Sequence, residues 1–110
     1  MPRKDKVLKT IETALSDHKA LDILTVDVRE TNPFADYYVL ATAGNIRQLK
    51  ALAEVVLDEL GKIKFDINHV EGKAESGWIL IDAHHVIVNI FSKEERERIS
   101  LDEILAKKRD

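Results

Sequence analysis

Trp78-Ile79-Leu80-Ile81-Asp82-Ala83-His84-His85-Val86-Ile87-Val88-Asn89-Ile90-Phe91 holds the single tryptophan of the chain and its densest run of β-branched residues. The pattern predicts a tight hairpin at the centre of a sheet. With Ala83 and His84 as a two-residue turn, Asp82 faces His85, Leu80 faces Ile87 and Trp78 faces Asn89. Ile79, Ile81, Val86, Val88 and Ile90 then make one purely aliphatic face, which requires a helix layer over it. The other face mixes Trp78, Leu80 and Ile87 with Asp82, His85 and Asn89, and function is sought there. No Asn-Gly or Asp-Gly fixes the turn geometry, and a slip of one residue would exchange the two faces.

Working outward, the apolar positions Val7, Leu8, Ile11, Ala14 and Leu15 give the stripe of a helix from about Lys4 to Asp17, closed by His18 and Lys19. Leu21 to Val28 alternates with period two, Leu24, Val26 and Val28 on one side, and is read as a first strand ended by Thr31-Asn32-Pro33. Tyr37 to Thr42 follows as a second, antiparallel strand. Asn45 caps a helix marked by Ile46, Leu49, Leu52, Ala53, Val56, Leu57 and Leu60, with Gly61 expected just past its end. Phe65 to Val70 is expected as a third strand, completing a right-handed parallel crossover, and Glu71 to Gly77 as a loop. Ser92-Lys93-Glu94-Glu95 and Ser100-Leu101-Asp102-Glu103 each match a capping box, so the tail should form two short helices packed down by Ile99, Leu101, Ile104 and Leu105. The order α-β-β-α-β-β-β-α describes a single α/β domain with a mixed five-stranded sheet and helices.

The 110 residues are 45% hydrophobic, enough for one core. Seventeen basic and 20 acidic residues give a formal charge of −3. That balance disfavours a partner read mainly through its phosphates, so no direct nucleic-acid readout is expected, while a basic protein partner fits. Without cysteine there is no disulfide, thiol nucleophile or Cys-ligated zinc. No apolar run approaches a membrane span, and the N-terminus does not read as a signal peptide, so a cytoplasmic protein is expected.

The stretch from Asp36-Tyr37-Tyr38 through Thr42-Ala43-Gly44, then Arg47-Gln48, Glu71-Gly72, Trp78-Ile79-Leu80-Ile81-Asp82 and the segment 91–96, resembles the Iojap-related ribosomal silencing factors over nearly the whole chain, and residues 1–110 are read as a single domain of that kind. The resemblance implies a nucleotidyltransferase-like fold without the catalytic residues. It also implies binding to the large ribosomal subunit through large-subunit ribosomal protein fourteen, exclusion of the small subunit, and lowered translation when nutrients are scarce. The chain departs from the family pattern at the hairpin tip, Asp82-Ala83-His84-His85 in place of Asp-Tyr-Gly-Asp. It also carries Asn89 where a His is usual, and Ile99 and Leu105 where the family has a Tyr and a Trp.

Trp78 reads either as core filling or as an interface anchor, and Asp82 either as a turn residue or as an acceptor for a basic side chain. Asp36, Tyr37 and Tyr38 suit ordinary strand chemistry or a protein-binding rim, and the resemblance favours function for Asp36 and Tyr37. The expected partner-binding set is therefore Trp78, Leu80, Asp82, Asp36, Tyr37 and Glu71. His84 and His85, adjacent on the chain, point apart on a strand and cannot readily share a metal with His69 and Asp82. No metal or cofactor is expected. The Gly44 turn resembles an anion-binding helix start, but Asp66-Ile67-Asn68 offers one carboxylate where phosphoryl transfer needs two. The resemblance makes a non-enzymatic translational repressor the leading expectation. The alternatives are a nucleotide-binding or nucleotidyl-transferring protein using the Gly44 turn, and a homodimerising module pairing through the mixed sheet face.

Overall fold

The computed structural model describes residues 3–108. Its elements are α1 (Lys4–Asp17), β1 (Leu21–Asp27), β2 (Tyr37–Ala43), α2 (Ile46–Lys62), β3 (His69–Lys73), a single 3₁₀ turn at Ala74–Ser76, β4 (Trp78–Ala83), β5 (Val86–Ser92), α3 (Lys93–Ile99) and α4 (Leu101–Lys108). The five strands form one mixed sheet in the order β1-β2-β5-β4-β3, with β2 and β5 as its parallel pair. This is the α/β single-domain architecture that the patterns predict.

Both long helices bury one side. Val7, Ile11, Ala14 and Leu15 of α1 and Leu49, Leu52, Ala53, Val56 and Leu60 of α2 join Val39, Ala41, Ile79, Ile81, Val86, Val88 and Ile90 in one core. Both also end in the same way. After α1, the Lys19 N–H donates to Ser16 and that of Ala20 to Leu15; after α2, Lys64 donates to Gly61 and Phe65 to Leu60. These are paired Schellman bonds, and the left-handed position is filled by Lys19 (φ 62°) and Lys64 (φ 59°). Gly61 is therefore inside the helix, not past its end. The frame is set by Phe65, 7% exposed, which packs into the core with Leu60. Phe65 consequently starts no strand: β3 begins only at His69, and Glu71, Gly72 and Lys73 lie in it rather than in a loop.

The hairpin differs in register from the sequence reading. His84 and His85 form the turn, Ala83 pairs with Val86, Leu80 with Asn89 and Trp78 with Phe91. Asp82 Oδ1 accepts the His84 N–H at 2.9 Å and holds that residue at φ 66°, while Ala83 is fully buried and stays in the ladder. The turn moves by one residue and the pairing by two, so every side chain keeps its face. β5 is buried on nearly all its length and takes the centre beside β2 and β4. β3, exposed at all five positions, takes an edge. It runs in the same direction as β2 but two strands lie between them, so the crossover spans β5 and β4 instead of joining neighbours.

The tail makes two helices as expected. Ser92 Oγ accepts the Glu95 N–H at 3.2 Å. Ser100 departs from the second capping box, because its hydroxyl donates back to the Glu97 carbonyl at φ 53°.

Candidate docking face

Strand parity places His69, Glu71 and Lys73 of β3, Trp78, Leu80 and Asp82 of β4, Ile87, Asn89 and Phe91 of β5, and Tyr38, Leu40 and Thr42 of β2 on the face away from α1 and α2. At the β1 and β2 side of this face, Ile99, Leu101 and Leu105 join Val26, Leu40 and Phe91 in a second apolar cluster. Towards β4 and β3 the face opens. Glu71 is exposed, and Trp78, Leu80, Asp82, Ile87 and Tyr38 are half-buried.

The indole of Trp78 lies against Phe91, ring centres 5.2 Å apart at 30°, and its N–H donates to Asn89 Oδ1 at 3.0 Å. The ring is thus packed against the second apolar cluster on one side and also borders a shallow hollow lined by Glu71, Gly72, Ser76, Leu80, Glu95 and Arg98. A second hollow, near the hairpin tip, is bordered by Tyr38, Ile87, Asp82, His84 and Phe34. Phe34 is 88% exposed, on a loop fixed by Asn32 Oδ1, which accepts the N–H groups of Phe34 and Ala35. No pattern marked Phe34 in the sequence, because a loop residue beside proline carries no periodicity to read.

The expected residues separate in position. Trp78, Leu80, Asp82 and Glu71 come together on the open face. Asp82 is occupied at the turn: besides His84, its Oδ2 accepts from Asn68 Nδ2 at 3.1 Å. Asp36 precedes β2, its backbone N–H donating to the His85 carbonyl and its carboxylate 3.1 Å from Lys4 Nζ. Tyr37 lies on the opposite face, packed against the helix-covered core, with the Arg29 guanidinium 5.5 Å from its ring centre. Tyr38 is the tyrosine on the open face. Two adjacent tyrosines look alike in sequence, and only the strand's parity distinguishes them.

His69 stands between carboxylates, Nε2 3.1 Å from Glu71 and Nδ1 3.6 Å from Asp82. A neutral imidazole has one N–H and can donate to one of them at a time. Among the described residues no group of three or more His, Asp or Glu side chains is arranged to hold a metal ion. His84 and His85 instead pack edge-on to Phe65, each 6.0 Å away.

Two N–H groups of the Gly44 turn are taken by its own side chains. Asn45 Oδ1 accepts the Gln48 N–H at 2.8 Å, and Gln48 Oε1 accepts the Gly44 N–H at 2.6 Å. Asp66 is exposed in the connection before β3, not on a strand as expected. No helix among the described residues is long and apolar enough to cross a membrane.

A family described as ribosomal silencing factor during starvation matches residues 2–110. The chain is 30% identical to the ribosomal silencing factor of Bacillus subtilis over 89% of its own length and 83% of the relative's. It is 30% identical to that of Zymomonas mobilis over 92% and 81%. A crystal structure of a protein from Chromobacterium violaceum superposes with a TM-score of 0.91 at 28% identity, covering 96% of this chain and 88% of that one. With strand order, helix placement and nearly every residue accounted for by this match, the chain belongs to the ribosomal silencing factors, a family of translation regulators.

Proposed function

We propose that the protein lowers translation under nutrient limitation by docking the open sheet face on the large ribosomal subunit, through large-subunit ribosomal protein fourteen. Bound there, it blocks joining of the small subunit sterically and needs no chemistry of its own. The observation that carries this reading is the strip of Trp78, Leu80, Ile87 and Tyr38, half-buried on a sheet face that α1 and α2 leave uncovered. Aromatic and aliphatic side chains grouped on a rigid strand surface, bordered by a carboxylate at Glu71, suit a protein partner with basic residues at its rim. Asp36 lies at the edge of the same region, while Tyr37 supports β2 from the other side and makes no contact in this mode. Asp82 shapes the hairpin tip beside the contact.

The test is co-sedimentation of the purified protein with isolated large subunits, small subunits serving as control, followed by a joining assay with both. Selective binding to large subunits and fewer joined ribosomes are expected. Equal binding to both subunits, or normal joining with the factor bound, would refute the proposal.

A further inference from the structure

Asn89 sits in the central strand, 1% exposed, and uses only half of its amide. Its Oδ1 accepts the Trp78 N–H, which fixes the orientation of the group, and Nδ2 has no partner among the described residues. A buried donor left unpaired opposes folding. The same-face neighbours across the ladders are Leu40 and Leu80, and an aliphatic side chain there would carry no such penalty. Sheet stability therefore gives no account of an amide at this position. The tryptophan does.

Trp78 pairs across the ladder with Phe91, yet its N–H reaches diagonally to Asn89, two residues earlier in β5. The indole thus lies along the strand instead of standing away from it. Phe91 supports one side of the ring, and the hydrogen bond selects among the rotamers that this support alone would leave open. We infer that Asn89 is a positioning residue, which holds the Trp78 indole flat on the sheet in the orientation the docking face presents, and which selects tryptophan over phenylalanine at that position. An anchor fixed before binding loses less freedom on binding. The effect on affinity rests on the docking reading above; the orientation of the ring does not.

Asn89→Leu, Trp78→Phe and the double variant test it. The single tryptophan gives one indole N–H signal in a proton spectrum, so its exchange with solvent can be followed directly. For Asn89→Leu the denaturation midpoint is expected to be no lower than wild type and indole exchange faster by about tenfold or more. Affinity for isolated large subunits should fall about fivefold. Adding Asn89→Leu to Trp78→Phe should change affinity by less than about twofold, since no N–H remains to be held. Unchanged exchange together with wild-type affinity in Asn89→Leu, or an equal loss in both backgrounds, overturns the assignment. Should Asn89→Leu fail to fold, Asn89→Ala takes its place with indole exchange as the readout: exchange no faster than wild type then overturns the inference and faster exchange supports it. If the wild-type protein ignores large subunits, the docking reading fails, and indole exchange in Asn89→Leu still decides the role of Asn89.

Discussion

A tryptophan half out of a sheet belongs to the core beneath it or to a partner above it, and its contacts separate the two. Trp78 rests on Phe91 and Asn89 at the margin of the second apolar cluster and also borders a surface hollow. Trp78→Ala should therefore cost binding to the large subunit more than folding, about 2 kcal/mol or more for a central anchor. Titrating the folded variant against large subunits, with its denaturation curve as control, checks this; normal affinity with a large loss of stability would make Trp78 a core residue. At this scale the sequence was informative where chemistry is singular. One tryptophan on a strand of mixed polarity stands out, as does an acid before a turn. Tyr37 and Tyr38 do not separate, because each is an aromatic on a strand. The parity that turns one inward is set by Val39 and Ala41, which share the helix-covered face with Tyr37.

β3 and the turn that follows it bring Glu71 and Trp78 together, and Gly72 is what lets them close. Its φ is +86°, and a Cβ there would stand 2.2 Å from the Trp78 carbonyl oxygen. Gly72→Ala is expected to destabilise the protein by about 2–3 kcal/mol and to loosen the edge hairpin before the core, which amide exchange resolved by residue would show as lost protection in β3 and β4. Protection lost evenly over the molecule would contradict it. On the far side of the same face, the tail is fastened by Arg96, whose guanidinium donates to Asp102 through Nε and Nη2 and to Thr42 and the Asp22 carbonyl through Nη1. That hydrogen bonding holds the Asp102 carboxyl below the usual carboxylate range. A carboxyl depressed in the folded state contributes stability above its unfolded pKa and loses it as the pH falls through the lowered value. Asp102→Asn should then cost about 0.5–1 kcal/mol near neutrality, the pair being partly exposed and screened, and the variant should converge with wild type in strong acid. Denaturant titrations at both extremes measure this, and a difference that persists in acid would place the effect elsewhere. Helices were legible because their apolar stripes, and the caps at Asn45 and Ser92, are local, whereas the end of α2 past Gly61 and the role of Ser100 differ from what the sequence predicts. The start of β3 and the hairpin register were not legible, since Phe65 and Ala83 take their places from burial against distant residues.

Over the whole molecule the charge is slightly negative, −3, and its distribution matters more for encounter than its sum. Strand order follows from burial: β5 tolerates apolar neighbours on both faces and is central, β3 carries charge and lies at the edge, so the acidic Glu71 borders the apolar strip. Asp36, next to the hairpin tip, adds a second carboxylate, partly neutralised by Lys4. Carboxylates beside an apolar contact act mainly on the rate of association with a basic partner, through attraction that precedes the contact and that salt screens. Asp82 should be left intact in any test, because its carboxylate closes the His84 turn and its removal would confound charge with shape. Glu71→Gln combined with Asp36→Asn removes two charges while leaving side-chain volume nearly unchanged. The association rate with large subunits should fall on the order of two- to fivefold at low salt, and its dependence on salt should flatten, while the dissociation rate changes less. Rapid-mixing measurements over a series of salt concentrations separate the two rates. A slope identical to wild type would mean that neither carboxylate meets the partner's field, and would confine recognition to the apolar strip around Trp78.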